Sequence, residues 1–206
     1  MSETQKQDVQ RLEQLWSGDF GNAYVDRNAA STKGRGPFWS GLLGKIEVSR
    51  ALEIGCNLGG NLEWIAKKVP PRDVYGIDIN EKALATLRER VPGVNAMYAP
   101  AREVPFRDRW FDLVFTAGVL IHQPLVSLPL VMNEVVRCSR KYVLAMEYHA
   151  DTLTEVPYRG HAGALFKQDY GKLYQELFPE LRLVEKGFLP KDDSWDDVTW
   201  WLFSRT

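Results

Sequence analysis

The chain is poor in cysteine, with two in 206 residues, Cys56 and Cys138. Two scattered thiols build no disulfide framework and suit a reducing compartment, so a cytoplasmic location is expected. No apolar run approaches the ~20 residues that a membrane helix needs. The opening words, MSETQKQDVQRLEQLW, are polar and lack the apolar stretch of a signal peptide. Charge of one sign is missing too: 26 basic residues face 27 acidic ones, a formal net charge of −1. That balance speaks against a general nucleic-acid binder. There is no internal repeat, low-complexity tract or Gly/Ser linker, so one domain over residues 1–206 is expected. Histidine is scarce, with three. Tryptophan is not, with seven. Large flat side chains fill cores, and they also line ligand pockets.

The first 49 residues contain no convincing strand. Residues 3–16 have Val9, Leu12, Leu15 and Trp16 at helical spacing. The word FGNAYVDRN follows, then a Gly/Lys/Arg/Pro stretch, Lys33 to Pro37, that reads as a mobile surface loop, then a short apolar helix over about 38–47. This segment reads as a helical cap or lid. From residue 50 the pattern alternates. Strands are expected at Ala51–Ile54, Val74–Ile79, Val94–Tyr98, Phe111–Thr116 and Tyr142–Glu147. Helices are expected at about 60–68, 80–90 and 125–137, with Asn80 as an N-cap. Such alternation indicates a parallel α/β sheet. Residues 148–165 lack periodicity and read as a loop insertion. A helix near 168–178 and two closing strands, Leu181–Phe188 and Val198–Phe203, complete the chain.

The decisive stretch is ALEIGCNLGGNL, residues 51–62. A strand ends at Glu53-Ile54-Gly55, turns through Cys56-Asn57-Leu58-Gly59-Gly60 and enters a helix. Glycines there permit a tight turn and let a ligand approach the backbone. Asn57 occupies the middle glycine of the dinucleotide pattern G-x-G-x-x-G, and no Gly-Lys-Ser/Thr follows for a phosphate loop. The second strand ends at Asp78 in GIDIN, where a carboxylate can accept both hydrogen bonds of a ribose diol.

With these residues the sequence resembles the class I S-adenosylmethionine (SAM) dependent methyltransferases. Their acidic-x-Gly-x-x-x-Gly motif is matched by Glu53, Gly55 and Gly59, and their strand-two acid by Asp78. The stretch VPFRDRWFDLVFTAGVLIH, residues 104–122, is similar to their Pro-Phe turn and fourth strand. Many relatives carry an Asp after strand three for the adenine amine, whereas this chain has Ala99-Pro100-Ala101-Arg102. The words at 20–28, 137–149, 156–171 and 196–203 also resemble a methyltransferase clade associated with pseudaminic acid biosynthesis. The resemblance implies a Rossmann-like, α/β class I methyltransferase fold. That means a seven-stranded, mostly parallel sheet with an antiparallel C-terminal hairpin strand and an N-terminal helical lid. It implies SAM as cofactor and a small-molecule acceptor, a sugar or nonulosonic-acid-type intermediate. No metal, nucleic acid or membrane is called for, and the protein is expected as a monomer or homodimer.

The expected SAM-lining residues are Glu53, Gly55, Asn57, Gly59, Asp78, Ile79, Gly118 and the backbone near Ala101 and Arg102. Tyr24 and Asn28, one helical turn apart, are expected as the lid over the methionine end. Methyl transfer to a hydroxyl or amine also invites a base. His122, His149 and His161 all follow strand ends or the loop beyond, the ligand side of an open α/β sheet. His122 and His161, with Tyr158, are the catalytic candidates. Arg27, Arg159, Tyr148, His149 and Trp195 are the substrate candidates, the arginines because a guanidinium holds a carboxylate bidentately. Glu147 reads equally as a buried paired carboxylate or a base. The acidic stretch at 192–197 reads as a solvated loop, with Trp195 as a lid in the functional reading. A zinc site is set aside because the histidine spacings are unrelated. A SAM-consuming cyclase forming azetidine-2-carboxylate and methylthioadenosine remains open, as does a non-catalytic SAM binder.

Overall fold

The four residues Ala51–Ile54 (β1) are all buried, as an inner strand of a parallel sheet should be. The strand lies between Val74–Asp78 (β2) and Phe111–Ala117 (β4), parallel to both. Asn95–Tyr98 (β3) pairs outside β2, and Ser139–Glu147 (β5) outside β4. The last two long strands, Leu181–Leu189 (β8) and Val198–Arg205 (β9), form a hairpin. β9 runs antiparallel to β5, which gives the seven-stranded order β3-β2-β1-β4-β5-β9-β8. The computed structural model describes residues 2–28, 33–191 and 194–205, with Lys33 by its backbone alone.

Alternation along the strands sorts the core into two faces. Leu52, Ile54, Val114 and Val143 face one layer, with Val131, Met132 and Val135 of Leu128–Cys138 (α6) and Tyr170 and Tyr174 of Tyr170–Leu177 (α7). Ala51, Leu113, Phe115 and Leu144 face the other. There they meet Trp39 and Leu42 of Gly36–Lys45 (α3), Leu62 and Ile65 of Leu62–Ile65 (α4), and Leu84 and Leu87 of Glu81–Arg90 (α5). Full burial of one such aliphatic side chain stabilises by about 1.5–3 kcal/mol.

Two more helices precede the sheet. Glu3–Ser17 (α1) begins with a capping box between Ser2 and Gln5, and Asp19–Asn28 (α2) follows it. Asn80 anchors them. Its Oδ1 accepts from Ala83 N at 2.9 Å to cap α5, and its Nδ2 donates to Trp16 O at 3.1 Å and Asn22 Oδ1 at 3.0 Å. The helical segment is thereby tied to the turn after β2.

Three expectations change. The helix over 60–68 shrinks to a four-residue α4, because Gly59-Gly60 delay its start and the chain tightens into i→i+3 bonds at Lys67 and Lys68. The loop over 148–165 contains half of a small antiparallel pair, Thr154–Glu155 (β6) with Phe166–Lys167 (β7). The Lys33–Pro37 loop is a helical turn (33–35) leading into α3, with Pro37 in the first turn of that helix. Among the described residues, no helix is long and apolar enough to cross a membrane.

Candidate active site

In the shared register, Ile54 of β1 lies opposite Ile77 of β2 and Thr116 of β4. Three strands therefore release their turns at one level, and a cleft opens there. The turn after β1 holds Gly55 at φ 72°, Asn57 at φ 47° and Gly59 at φ 78°. A side chain at Gly55 would collide with Val119, its Cβ falling 2.4 Å from a methyl carbon. Gly59 is not on the cleft wall. Its missing side chain lets α5 close in, since a Cβ would stand 2.2 Å from Leu87 Cδ1. That corrects its expected contact with a cofactor to a packing role.

The cleft has an empty volume of about 1220 Å³, counted out to its mouth. Glu53, Gly55, Asn57, Asp78, Ile79, Ala101 and Gly118 line it, and Tyr24 and Asn28 close it from α2. Asp78 accepts from Asn57 N at 2.8 Å through Oδ2 and from Asn80 N at 2.9 Å through Oδ1. Each oxygen keeps a lone pair for a diol. Burial raises the Asp78 pKa, against the backbone N–H groups that lower it. Glu53 is buried, and burial pushes its pKa up to about 8 despite the hydrogen bond from Asn61. Asn61 Nδ2 donates to Glu53 Oε1 at 2.6 Å.

Among the described residues, three that line the cleft carry a buried polar atom without a partner: Glu53 Oε2, Asn57 Oδ1 and Trp16 Nε1. Leaving such a group unpaired costs about 1–3 kcal/mol. Three unpartnered polar atoms around one cleft mark a place built for a polar ligand.

Sequence reasoning passed over Asn61 and Arg35. Asn61 Oδ1 accepts from Arg35 Nη1 at 2.9 Å and Trp39 Nε1 at 3.3 Å, so one amide links α3, the preceding turn and Glu53. The Arg35 guanidinium lies 4.6 Å over the Trp195 ring, and burial lowers its pKa. Trp195 itself is buried against Phe38 and lines neither cavity, which corrects its substrate role to that of a buttress. Asp192 and Asp193 of the acidic stretch lie outside the described residues. Trp39, 1% exposed, is core. Trp16, in α1, lines the cleft.

A second cavity, about 640 Å³ by the same measure, adjoins the first. Tyr24, Asn28, Gly118 and His122 line both. Arg27, Tyr148, Tyr158, Arg159 and Asp196 line the second. Tyr148 donates its hydroxyl to Asp196, and burial, together with that carboxylate, raises its pKa. Tyr24 is pushed up to about 12, chiefly by burial, and stays a hydroxyl donor at neutral pH.

His122 closes the turn Leu120–His122 after β4. Its Nδ1 stands 2.6 Å from Ala164 O, and a carbonyl only accepts, so Nδ1 carries the proton. Nε2 is left as the basic nitrogen. The ring packs on Trp16 at 4.5 Å and Tyr158 at 5.0 Å, and burial lowers its pKa to about 4. The turn is held from below by Glu147, fully buried, whose carboxylate accepts from Val119 N and Ile121 N. Glu147 is on neither cavity wall, although burial lifts its pKa to about 7.

The other two histidines are not brought to either cavity. His149 lies 3.7 Å from Asp169, the N-cap of α7, with its ring 6.0 Å from Trp201. His161 packs edge-on against Phe20 at 5.0 Å. The side chain of Arg102 turns to Glu13 at 2.7 Å, which ties α1 to the turn after β3. Among the described residues, no group of three His, Cys, Asp or Glu side chains could hold a metal ion.

The topology β3-β2-β1-β4-β5-β9-β8, the glycine turn and the acid ending β2 now meet at one cleft. The chain has the class I methyltransferase fold. Residues 51–142 match the family model described as a methyltransferase domain. The Burkholderia thailandensis 1,6-didemethyltoxoflavin-N1-methyltransferase, solved with 1,6-didemethyltoxoflavin and S-adenosylhomocysteine, superposes with a TM-score of 0.71. It does so at 16% identity over 100% of this chain and 91% of that one. The magnesium protoporphyrin IX methyltransferase of Synechocystis gives 0.71 at 12% identity, over 96% and 99%. A fatty-acid O-methyltransferase of Mycolicibacterium smegmatis is 32% identical over 34% of this chain and 26% of its own length. The phthiotriol/phenolphthiotriol dimycocerosates methyltransferase of Mycobacterium leprae is 29% identical over 46% and 35%. The chain thus spans about a quarter to a third of these curated relatives.

Proposed function

We propose that the protein moves the methyl group of S-adenosylmethionine to a hydroxyl of a small polar molecule. The three unpartnered atoms around the first cavity carry this reading. The residues there fit the donor. The spare lone pairs of Asp78 suit its ribose diol, Glu53 Oε2 its ammonium, and Arg35, on the same wall, its carboxylate. Leu58, Ile79 and Ala101 offer apolar wall for the adenine. When bound, the donor supplies an already activated methyl on a sulfonium.

The protein's own work is alignment, exclusion of water and removal of one proton. Tyr24, Asn28, Gly118 and His122 border both cavities, so acceptor and methyl meet between them. The acceptor oxygen would take the methyl, leaving the C–S electron pair on the donor's sulfur, and His122 Nε2 takes the hydroxyl proton. A pKa near 4 makes His122 a weak base. It suffices for a hydroxyl, because an oxygen gaining a methyl becomes an oxonium far more acidic than an imidazolium. A methylated amine would keep its proton against such a base. The resemblance to the pseudaminic acid-associated clade narrows the acceptor further, to a sugar or nonulosonic-acid-type intermediate. Action in the cytoplasm as a monomer or homodimer belongs to the same proposal.

Incubation with S-adenosylmethionine, with and without candidate acceptors, tests it. Turnover to S-adenosylhomocysteine only with an acceptor is expected. Methylthioadenosine without acceptor would overturn it in favour of cyclisation, which has no use for the second cavity. Asp78→Ala is expected to weaken S-adenosylmethionine binding by about 1.5–3 kcal/mol in calorimetry. Unchanged affinity would remove the donor assignment.

A further inference from the structure

The second cavity contains an arginine where the backbone disfavours one. Tyr158 and His161 exchange both backbone hydrogen bonds, Tyr158 N to His161 O at 3.1 Å and His161 N to Tyr158 O at 2.9 Å. Between them stand Arg159 at φ 49° and Gly160 at φ 86°. Positive φ at both central residues defines a type I′ turn, whose first position favours Asn, Asp or Gly. An arginine there is strained, and such strain gathers at ligand clamps. The side chain that the turn displays lines the cavity.

A second guanidinium comes from another direction. Arg27, in the last turn of α2, lies over the rings of Phe20 and Tyr24 at 5.9 and 5.8 Å and also lines this cavity. Neither arginine makes an ion pair among the described residues. Among the described residues, the one carboxylate on the wall, Asp196, is taken by the Tyr148 hydroxyl. Among the described residues, two cations against one engaged acid leave the lining positive. The donor's carboxylate does not account for them, because Arg35 lines the first cavity, and Arg27 and Arg159 line the second alone. Tyr24, Tyr148 and Tyr158 add hydroxyls around the same space.

Resting on the methyl-transfer reading, we infer that the acceptor carries an oxyanion, a carboxylate or a phosphate, gripped between Arg27 and Arg159, with its reacting hydroxyl on the His122 side. The acceptor is a small hydroxylated anion. The tyrosines bond its other hydroxyls, and an apolar chain finds little wall here.

The test uses the full chain saturated with S-adenosylhomocysteine, after binding of that ligand has been measured by itself. Melting is followed with glucuronate and gluconate as hydroxylated carboxylates, glucose 6-phosphate as a phosphate, and glucose as the uncharged control. At least one anion is expected to raise Tm in a saturable way that glucose does not, and the responding arm distinguishes carboxylate from phosphate. Arg159→Asn installs the residue that the turn prefers, so it is expected to raise the ligand-free Tm by about 2–4 °C. The same variant is expected to weaken the anion at least tenfold while S-adenosylhomocysteine affinity holds. Arg27→Gln repeats the loss of anion binding with Tm nearly unchanged, and covers the case of an Arg159 variant that fails to fold. Equal response to glucose and the anions, or undiminished anion binding in both variants, overturns the inference. Loss of S-adenosylhomocysteine affinity in either variant overturns it too, by assigning the arginines to the donor. Absence of S-adenosylhomocysteine binding in the parent protein is a different failure, that of the donor reading itself.

Discussion

The two cavities are neighbours made in different ways. The first is walled by the turns that leave β1 to β4, roofed by α1 and α2, and its polar groups are fixed by bonds between neighbouring strand-end turns, such as Asp78 to Asn57 N and Asn80 N. The second is walled by side chains from α2, the end of β5, the turn at 158–161 and the approach to β9. Its groups are held by long-range contacts, such as the Tyr148 hydroxyl on Asp196. A wall of strand-end turns is fixed by the sheet itself and suits a ligand that does not change. A wall of side chains on covering segments can be rewritten one residue at a time without touching the sheet. The comparison teaches where recognition of a common donor and of a particular acceptor can reside in one small fold.

Substitutions can break that division or sharpen it. The largest effect belongs to the shared border. His122→Asn keeps a donor toward Ala164 O and removes the basic nitrogen. Turnover is expected to fall by about 10²–10⁴-fold, the usual span for a general base, with S-adenosylmethionine affinity retained. Next is Gly59→Ala, which forces a side chain into positive φ and onto Leu87. It is expected to cost about 2–5 kcal/mol in chemical denaturation, without bearing on the acceptor directly.

The pH response of His122 follows. Its folded pKa, about 4, lies below the ordinary 6.5, so the unfolded chain takes up a proton first as the solution is acidified. The stability from its neutral form is complete above pH 6.5 and is lost as pH falls from there toward 4. The loss is on the order of 3 kcal/mol. Denaturation midpoints for wild type and His122→Asn should therefore converge across that window, and parallel pH profiles would contradict the burial argument. The smallest effect is Tyr148→Phe, which removes one bond to an exposed aspartate. Stability should change by less than about 1 kcal/mol, and donor affinity should hold while KM for the acceptor rises severalfold.

The first cavity was legible in the sequence because its determinants are consecutive. Residues 53–59 are one strand end and one turn, and Asp78 ends the next strand, so spacing alone aligns them. Gly59 was misread there, since spacing cannot tell a glycine that faces a ligand from one that lets a helix approach. The second cavity was legible only as a set of residue types. Arg27, Tyr158 and Arg159 were candidates from chemistry. His149 and His161 were candidates on the same grounds, yet they turned to Asp169 and Phe20. Position beyond a strand end fixes the side of the sheet and leaves the direction of each side chain open. Asn61 and Arg35 were missed for a related reason. Their importance lies in a contact across 26 residues that no local pattern records. Trp195 shows the converse, a large aromatic in an acidic stretch whose ring serves as a platform for Arg35.

One bond described above joins matters that the division into two cavities keeps apart. The proton on His122 Nδ1 is pinned by the carbonyl of Ala164, which belongs to the covering segment after β5 and not to the sheet. The segment that supplies Tyr158 and Arg159 to the second cavity therefore also decides which nitrogen of the imidazole is basic. In the proposed mechanism, exchanging that loop for another would change the base together with the substrate. A transplanted loop needs a carbonyl at this one point before any new pocket it builds can be chemically competent.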